Sequence, residues 1–449
     1  MAAKRRRCAV LPDHLIEEIF LRLPPKSVFR CRCLSRAWAA TLSSDDFVDC
    51  YLRVANLHGG PRIVGVEDMI NGDVPKVIPP LTTTPCVIPI DSFPRLATLL
   101  PFMEGYEDDP PILSIAAMPV TPQCRGLVLL RAIPRGEAFP HDMYFVCNPS
   151  TGQMTALPEG QTTGRRRGYR EDRPYQSLGL GYDVRTRKHK VVRIYYNGRH
   201  MSSSSGCEVF EINGPTGMWR LTDQKPTGWI ESLSAFAQGH AYWLAYREIY
   251  PRHQDKFIMS FSLGDEKLGD IQLPPLDMNS VSPNDLTELG GQLCLFASNK
   301  YRYHIWLLDH YGPGGSTHTW DLRYRVDLAP EVTPFGASPL AIIDQGRRIL
   351  LTEPDCPAQV YAYDPLTKET QNLLEWSIPS SDLGVSCAVV YQTSIASPGR
   401  QPCKDTSLSS SPCTQALWLV LKLHCLPPCT IGRLMCVCRS WRSMICCLR

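Results

Sequence analysis

The sequence predicts an α+β chain of more than one domain: a short three-helix unit at the N-terminus, an all-β body of repeated strands, and a short helical tail. Three observations carry this prediction. An amphipathic apolar stripe near the N-terminus is followed at once by two further short apolar clusters. The 39 prolines and 31 glycines are spread along the chain among short apolar runs, a pattern that favours many strands and turns over a large helical body. Strand pairs marked by glycine then recur from about residue 112 onward.

The first segment, residues 8–50, starts with Leu11-Pro12-Asp13-His14-Leu15-Ile16-Glu17-Glu18-Ile19-Phe20-Leu21-Arg22-Leu23-Pro24-Pro25. Helical spacing puts Leu15, Ile16, Ile19, Phe20 and Leu23 on one stripe and Glu17, Glu18 and Arg22 on the other side. Asp13 is the expected N-cap, and Pro24-Pro25 is expected to end the helix. Val28, Phe29, Cys31, Cys33 and Leu34 form a second apolar cluster, and Ala37, Trp38 and Leu42 a third, after a break near Ser35. So small a unit buries too little surface to hold all these side chains. The excess should face a partner protein, or else this chain's own next domain. Each such side chain contributes roughly 1.5–3 kcal/mol of transfer free energy when fully buried, before the costs of association.

The run Leu11-Pro12, Leu15, Glu18-Ile19, Leu23-Pro24-Pro25-Lys26-Ser27-Val28, Arg30, Arg32-Cys33-Leu34-Ser35-Arg36-Ala37-Trp38 and Ser43-Ser44-Asp45-Asp46-Phe47 closely resembles an F-box of the plant type that precedes a propeller. That resemblance implies docking onto a Skp-type adaptor of a cullin-based ubiquitin ligase, with the remaining domain presenting a protein substrate. It points to Leu11, Pro12, Leu15, Ile19, Leu23, Pro24, Val28, Leu34 and Trp38 as facing the adaptor or shaping the face that does.

Residues 51–111 read as an irregular, proline-rich connector. They contain two short strand signals, Ile63–Val66 and Cys86–Ile90, which could start a further unit or close a ring. Residues 112–393 show the repeat. Its inner pairs are Cys124–Leu130, Leu178–Tyr182 with Lys190–Tyr195, Ala237–Leu244, Leu289–Phe296, and Leu340–Ile343 with Arg348–Leu351. Marker glycines at Gly126, Gly181, Gly239, Gly291 and Gly346 recur every roughly 50–58 residues, near the kelch-like blade period. The strands Tyr144–Gly152 and Val360–Lys368 both enter an Asn/Asp-Pro turn, in which the acid or amide bonds its own backbone and proline presets the next φ. Cys207–Ile212, Phe257–Leu263 and His304–Leu308 fill the equivalent places in the other units. Four-stranded units around an axis leave only short sheet edges. An open stack of sheets or a β-sandwich pair is the alternative. The body also resembles the F-box-associated propeller of plants.

Composition narrows the function classes. Formal net charge is +3 over 449 residues, too small to make nucleic acid or an acidic membrane the main partner. No segment reaches the ~20 apolar residues of a bilayer span, and no signal-peptide core follows Met1–Arg7. The only Asn-x-Ser/Thr frame, Asn148-Pro149-Ser150, holds the excluded proline. A reducing intracellular setting, cytoplasm or nucleus, is therefore expected. There the 19 cysteines act as free thiols and small buried hydrophobes. Lys4-Arg5-Arg6-Arg7 reads as a frayed terminus or as a nuclear import signal.

No His-Glu-x-x-His, P-loop or Gly-x-Ser-x-Gly element occurs, and Gly179-Leu180-Gly181 lacks the third glycine of a dinucleotide loop. Trp219, Trp229, Trp243, Trp306 and Trp320 read as blade core or packing between blades. Arg165, Arg166, Arg167 and Arg170 form the densest basic run, either a solvated loop or a contact for an acidic or phosphorylated target.

A linker over residues 394–413 leads to a tail, 414–449. There Leu426-Pro427-Pro428, Arg433, Cys436, Arg439 and Trp441 repeat Leu23-Pro24-Pro25, Arg30, Cys33, Arg36 and Trp38 at one constant offset. The tail resembles the second half of another F-box, without counterparts of Leu11-Pro12 and Glu17-Glu18. Gly432 would weaken its helix by about 1 kcal/mol relative to alanine. The spacing of Cys425, Cys429, Cys436 and Cys438 is not that of a usual zinc finger, and no metal or cofactor is expected.

The reading these features support is a non-catalytic substrate-recognition subunit of an SCF ubiquitin ligase. It would hold a Skp-type adaptor and, through it, a cullin scaffold, and would capture an unidentified protein target with its propeller. The alternatives are an interaction protein that does not drive turnover and a propeller that binds a small molecule or glycan.

Overall fold

The computed structural model describes residues 12–57, 62–66, 115–134, 143–160, 175–196, 205–230, 233–247, 256–276, 281–299, 302–309, 319–327, 338–344, 347–352, 359–375 and 387–399. Among these, residues 12–55 and 56–399 form two compact units.

The first unit is helical: α1 (Asp13–Phe20), α2 (Pro25–Cys31), α3 (Arg36–Thr41) and α4 (Asp45–Asn56). Four helices stand where three are expected. Pro12, not Asp13, occupies the cap of α1, and Asp13 is its first residue, where a carboxylate meets the exposed amides of the first turn. The proline pair also acts differently from the expectation. Helix α1 has ended at Phe20, and Pro24 and Pro25 instead open α2 as cap and first residue. A missing N–H costs nothing there, since first-turn donors have no intrahelical partner. Ser35 caps α3 by accepting from Trp38 N at 3.1 Å.

The second unit is all β. Strand β1 (Arg62–Val66) stands apart in sequence from the rest. The first four-stranded sheet is β2 (Ile115–Pro119), β3 (Val128–Pro134), β4 (Met143–Asn148) and β5 (Gln153–Ala156). The second is β6 (Tyr175–Asp183), β7 (Lys188–Tyr196), β8 (Ser205–Glu211) and β9 (Arg220–Leu221). In the third, β10 (Trp229–Ile230) and β11 (Ala235–Ala237) share one inner edge, followed by β12 (His240–Tyr246), β13 (Lys256–Ser262) and β14 (Lys267–Ile271). The fourth is β15 (Ser282–Leu289), β16 (Gln292–Ser298), β17 (Arg302–Leu308) and β18 (Trp320–Asp327). The fifth is β19 (Ser338–Ile343), β20 (Arg348–Thr352), β21 (Gln359–Asp364) and β22 (Glu369–Glu375). Each is an antiparallel meander in chain order. Among the described residues these five sheets correspond to the five units visible in the repeat.

First strands line up from blade to blade. β6 lies beside β11, β11 beside β15, and β15 beside β19. The cores lie between sheets, as radial packing requires. Val192, Ile194 and Val209 of the second blade meet Trp243, Met259 and Phe261 of the third. Tyr242, Leu244 and Ile258 of the third meet Leu286, Leu293 and Leu295 of the fourth. Trp243 is fully buried, and its Nε1 donates to Ser177 Oγ at 3.0 Å.

The ends of the body meet. β1 pairs antiparallel with β23 (Cys387–Tyr391), from Arg62 opposite Tyr391 to Val66 opposite Cys387. Successive strand residues point to opposite faces. Accordingly, Val390 packs on the core of the fifth blade and Tyr391 on that of the first. β23 lies beside both β19 and β2. The Ile63–Val66 signal is thus the strand that joins the two ends. The Cys86–Ile90 signal lies outside the described residues.

Three marker glycines, Gly126, Gly239 and Gly291, sit in turns between the first two strands of a blade, while Gly346 lies outside the described residues. Gly181 differs: it lies inside β6, and a Cβ there would be 2.1 Å from Leu263 Cδ1 of the third blade. Its glycine makes room for the neighbouring sheet. The expected turn chemistry is present at Asp364, whose Oδ1 accepts from Leu366 N and Thr367 N at 2.9 and 3.4 Å.

Candidate functional site

In the helical unit the apolar stripe of α1 splits. Ile16 and Phe20 turn inward, 5% and 3% exposed, and join Val28, Cys31, Leu42, Phe47 and Tyr51 in the core. Burial pushes the Cys31 thiol up to about 11, with Cys33 adding to the shift, so Cys31 packs as a small protonated hydrophobe. Phe20 also meets Trp38 edge-on, ring centres 5.1 Å apart.

The other half of the stripe stays outside. Pro12, Leu15, Ile19 and Leu23 follow one another at helical spacing. Pro12 and Leu15 are exposed, and Ile19 and Leu23 half-buried. Leu15 is 42% and Leu34, in the turn after α2, 37% exposed. Trp38 is half-buried and Pro24 exposed, whereas Val28 has no exposed surface. Val28 therefore supports this face from behind. Leu11 lies outside the described residues, as do Arg165, Arg166, Arg167 and Arg170.

Helix α4 is the one beyond the three expected, and it fixes the site's frame. Tyr51 Oη donates to Leu23 O at 2.7 Å, holding the corner between α1 and α2. Arg32 Nη2 donates to Leu42 O at 3.1 Å across the α2–α3 turn. The signals for α4 were available: Ser44 Oγ accepts from Phe47 N at 3.3 Å as a cap, Asp45 and Asp46 fill the first turn, and Phe47 and Tyr51 are four apart. The face these helices leave exposed is apolar, suited to non-covalent docking.

The β body holds its functional shape with buried charge. Lys190 Nζ reaches Asp183 Oδ2 at 2.8 Å, Leu263 O at 2.9 Å and Glu266 Oε1 at 3.1 Å, tying the second blade to the third. Burial alone would raise the Asp183 carboxyl, but hydrogen bonds from Lys190, Thr186 and the Arg185 amide outweigh it and hold it below its ordinary value. Glu266 is likewise lowered, because Arg220 and Lys190 outweigh its burial. Arg193 Nη1 and Glu208 Oε2 pair at 2.6 Å with almost no exposure. Trp219 and Trp320 brace neighbouring units through Nε1, donating to Pro158 O at 2.7 Å and Gln272 O at 3.0 Å. At the strand end that follows the arginine run, Tyr175 is 39% exposed and stacks on Trp229, centres 5.0 Å apart.

Among the described residues, no group of three or more His, Cys, Asp or Glu is placed to hold a metal ion, and no helix is long and apolar enough to cross a membrane. Cys31, Cys124, Cys207 and Cys294 are free and buried, and Cys147 is buried.

Comparison with known proteins agrees with this architecture. The family model of the F-box associated beta propeller domain matches residues 111–373, and that of the F-box domain matches residues 10–49 and again 423–449. An F-box/LRR-repeat protein of Arabidopsis thaliana is 23% identical over 380 residues, covering 81% of this chain and 79% of that one. The F-box protein CPR1 of the same plant is 24% identical, covering 76% and 79%, and an F-box/kelch-repeat protein is 25% identical, covering 71% and 68%. An F-box joined to such a body is the general make-up of an SCF-type substrate adaptor. With five blades following a helical unit whose apolar face is left open, the chain belongs to the plant-type F-box proteins with an F-box-associated β-propeller.

Proposed function

We propose that this protein is a substrate-recognition subunit of an SCF ubiquitin ligase, binding a Skp-type adaptor through Leu15, Leu34 and Trp38 and a protein target through the propeller. The observation that carries this reading is the exposure of Leu15 and Leu34 at 42% and 37% in a helical unit whose core is already filled by other residues. Pro12, Ile19, Leu23 and Pro24 extend that face, and Val28 shapes it. The chain brings the target to catalytic subunits that it does not itself contain, raising its local concentration there. An intracellular setting fits the buried free thiols.

The test is adaptor binding by the whole chain and by Leu15→Asp with Leu34→Asp. The double variant should bind at least about 100-fold more weakly, since two large apolar anchors at roughly 1.5–3 kcal/mol each are replaced by charges. Unchanged binding would remove the helices from the interface. Target-dependent ubiquitination in a reconstituted ligase then separates a degradative subunit from a simple interaction protein.

A further inference from the structure

Beyond β23 the chain continues as Gln392–Gly399 without regular secondary structure, yet its middle is buried. Thr393, Ser394, Ile395 and Ala396 are 3%, 0%, 0% and 4% exposed. Irregular backbone at that depth needs partners for its N–H and C=O groups. Asn56 supplies them for Thr393, donating Nδ2 to Thr393 O at 3.0 Å and accepting from Thr393 N at 2.9 Å, and the first blade supplies them for Ser394 and Ala396. Asn148 Nδ2 donates to Ser394 O at 3.0 Å and to Ala396 O at 2.8 Å, and Ser394 N donates to Ser150 Oγ at 3.1 Å. Gly126 of the same blade lies against the segment: a Cβ there would stand 2.2 Å from Ser394 Cβ and 2.7 Å from Gln392 O.

The residue type at position 148 is explained by this segment alone. Asn148 and Asp364 end the third strands of the first and fifth blades and make the same turn. Asn148 Oδ1 accepts from Ser150 N and Thr151 N, as Asp364 Oδ1 does from Leu366 N and Thr367 N. They part at the second side-chain atom. Asp364 Oδ2 faces a cation and accepts from Arg347 Nε at 2.9 Å. At position 148 the second atom faces two carbonyl oxygens, so it must be a donor. Aspartate could form the turn but would set an oxygen against those carbonyls.

We infer that Gln392–Gly399 is a latch, a strap that holds the β1–β23 closure onto the first blade, and that the Asn148 amide is the donor by which that blade grips it. The strap lies beyond the 111–373 stretch that matches the propeller family, so the closed body needs residues which that match leaves out. When the strap lifts, β23 loses its hold on one of its two neighbours. The other blades keep theirs.

The test is hydrogen–deuterium exchange of the full chain, comparing wild type, Asn148→Asp and Asp364→Asn. Asn148→Asp retains the turn acceptor and removes the two bonds that Asn148 itself donates to the strap, leaving those of Ser150 and Asn56. It should raise exchange over 62–66 and 387–399 by roughly tenfold or more while β6–β8 keep their protection. Asp364→Asn makes the matching one-atom change in a turn without a strap and should leave 387–399 as in wild type. Equal protection of 387–399 in wild type and Asn148→Asp overturns the inference, and so does equal loosening by both variants. Should Asn148→Asp fail to fold, Ser150→Ala decides. It removes the Ser394 N acceptor alone, and a rise confined to 392–399 supports the latch, whereas no rise overturns it.

Discussion

In the helical unit, large apolar side chains remain at the surface: Leu15 and Leu34 are more than a third exposed. In the β body, whole charges have gone inside: the side chains of Lys190, Asp183, Arg193 and Glu208 are 6%, 2%, 3% and 0% exposed. The difference follows from geometry. A helix satisfies its own backbone and can leave half of a wide stripe uncovered, and four short helices lack the area to cover it. A blade is covered on both faces by its neighbours, so its polar positions are enclosed with the rest and have to be paired there. The helices therefore offer surface to a partner, while the blades spend their polar groups on each other.

The most severe way to break this comparison is to unpair a buried charge. Glu208→Ala leaves the Arg193 guanidinium enclosed without the carboxylate 2.6 Å away, although Gln176 Oε1 still accepts from Arg193 Nε at 2.7 Å. The expected loss of stability is about 3–5 kcal/mol, read from the urea midpoint of the body's transition. A loss below about 1 kcal/mol would mean that water reaches the guanidinium and that the blades enclose less than their geometry implies.

Acid should loosen the same region by smaller steps. Asp183 and Glu266 are held below their ordinary values of 3.8 and 4.5. A carboxyl lowered on folding takes up protons more readily in the unfolded chain, so its contribution is complete above the ordinary value and is lost as pH falls through the folded one. Urea midpoints measured from about pH 6 down to about pH 3 should therefore decline in wild type. Asp183→Asn should start lower and decline less steeply. Parallel curves would show that the Lys190 cluster is not what acid attacks.

The sequence made some of this legible and hid the rest for physical reasons. Apolar third strands with Asn or Asp turns, such as Val360–Lys368, mark themselves because alternation and turn chemistry are local. The first F-box helices are equally plain in their spacing. What escaped depends on distant residues. Pro24-Pro25 reads as a stop but serves as a start, since only the early end of α1 at Phe20 decides which. Gly181 resembles a turn glycine, and the reason for it is Leu263 of another blade. Helix α4 opens on a serine cap and two acids that belong to the F-box-like run, but its second half, from Tyr51, falls where the proline-rich stretch reads as a connector. Which half of the Leu15–Leu23 stripe faces inward could not be read from the stripe itself, because the other buried residues of the unit, Val28, Leu42, Phe47 and Tyr51 among them, come from later in the chain.

The mildest expected change sharpens the other side of the comparison. Leu15 is 42% exposed, four residues ahead of half-buried Ile19 and outside the core that Ile16 and Phe20 enter. Leu15→Ala removes apolar surface that water already reaches and keeps helix propensity high, so the helical unit's stability should change by no more than about 0.5 kcal/mol. Thermal or urea unfolding of the full chain checks this. A cost of about 2 kcal/mol or more is the signature of a large side chain cut out of a packed core. It would mean that Leu15 is covered by the protein itself in solution, and the open face would then have to be sought around Leu34 and Trp38. A near-zero cost combined with weaker adaptor binding would separate the two roles within one helix: Ile16 and Phe20 hold the fold together, and Leu15 is kept for the partner.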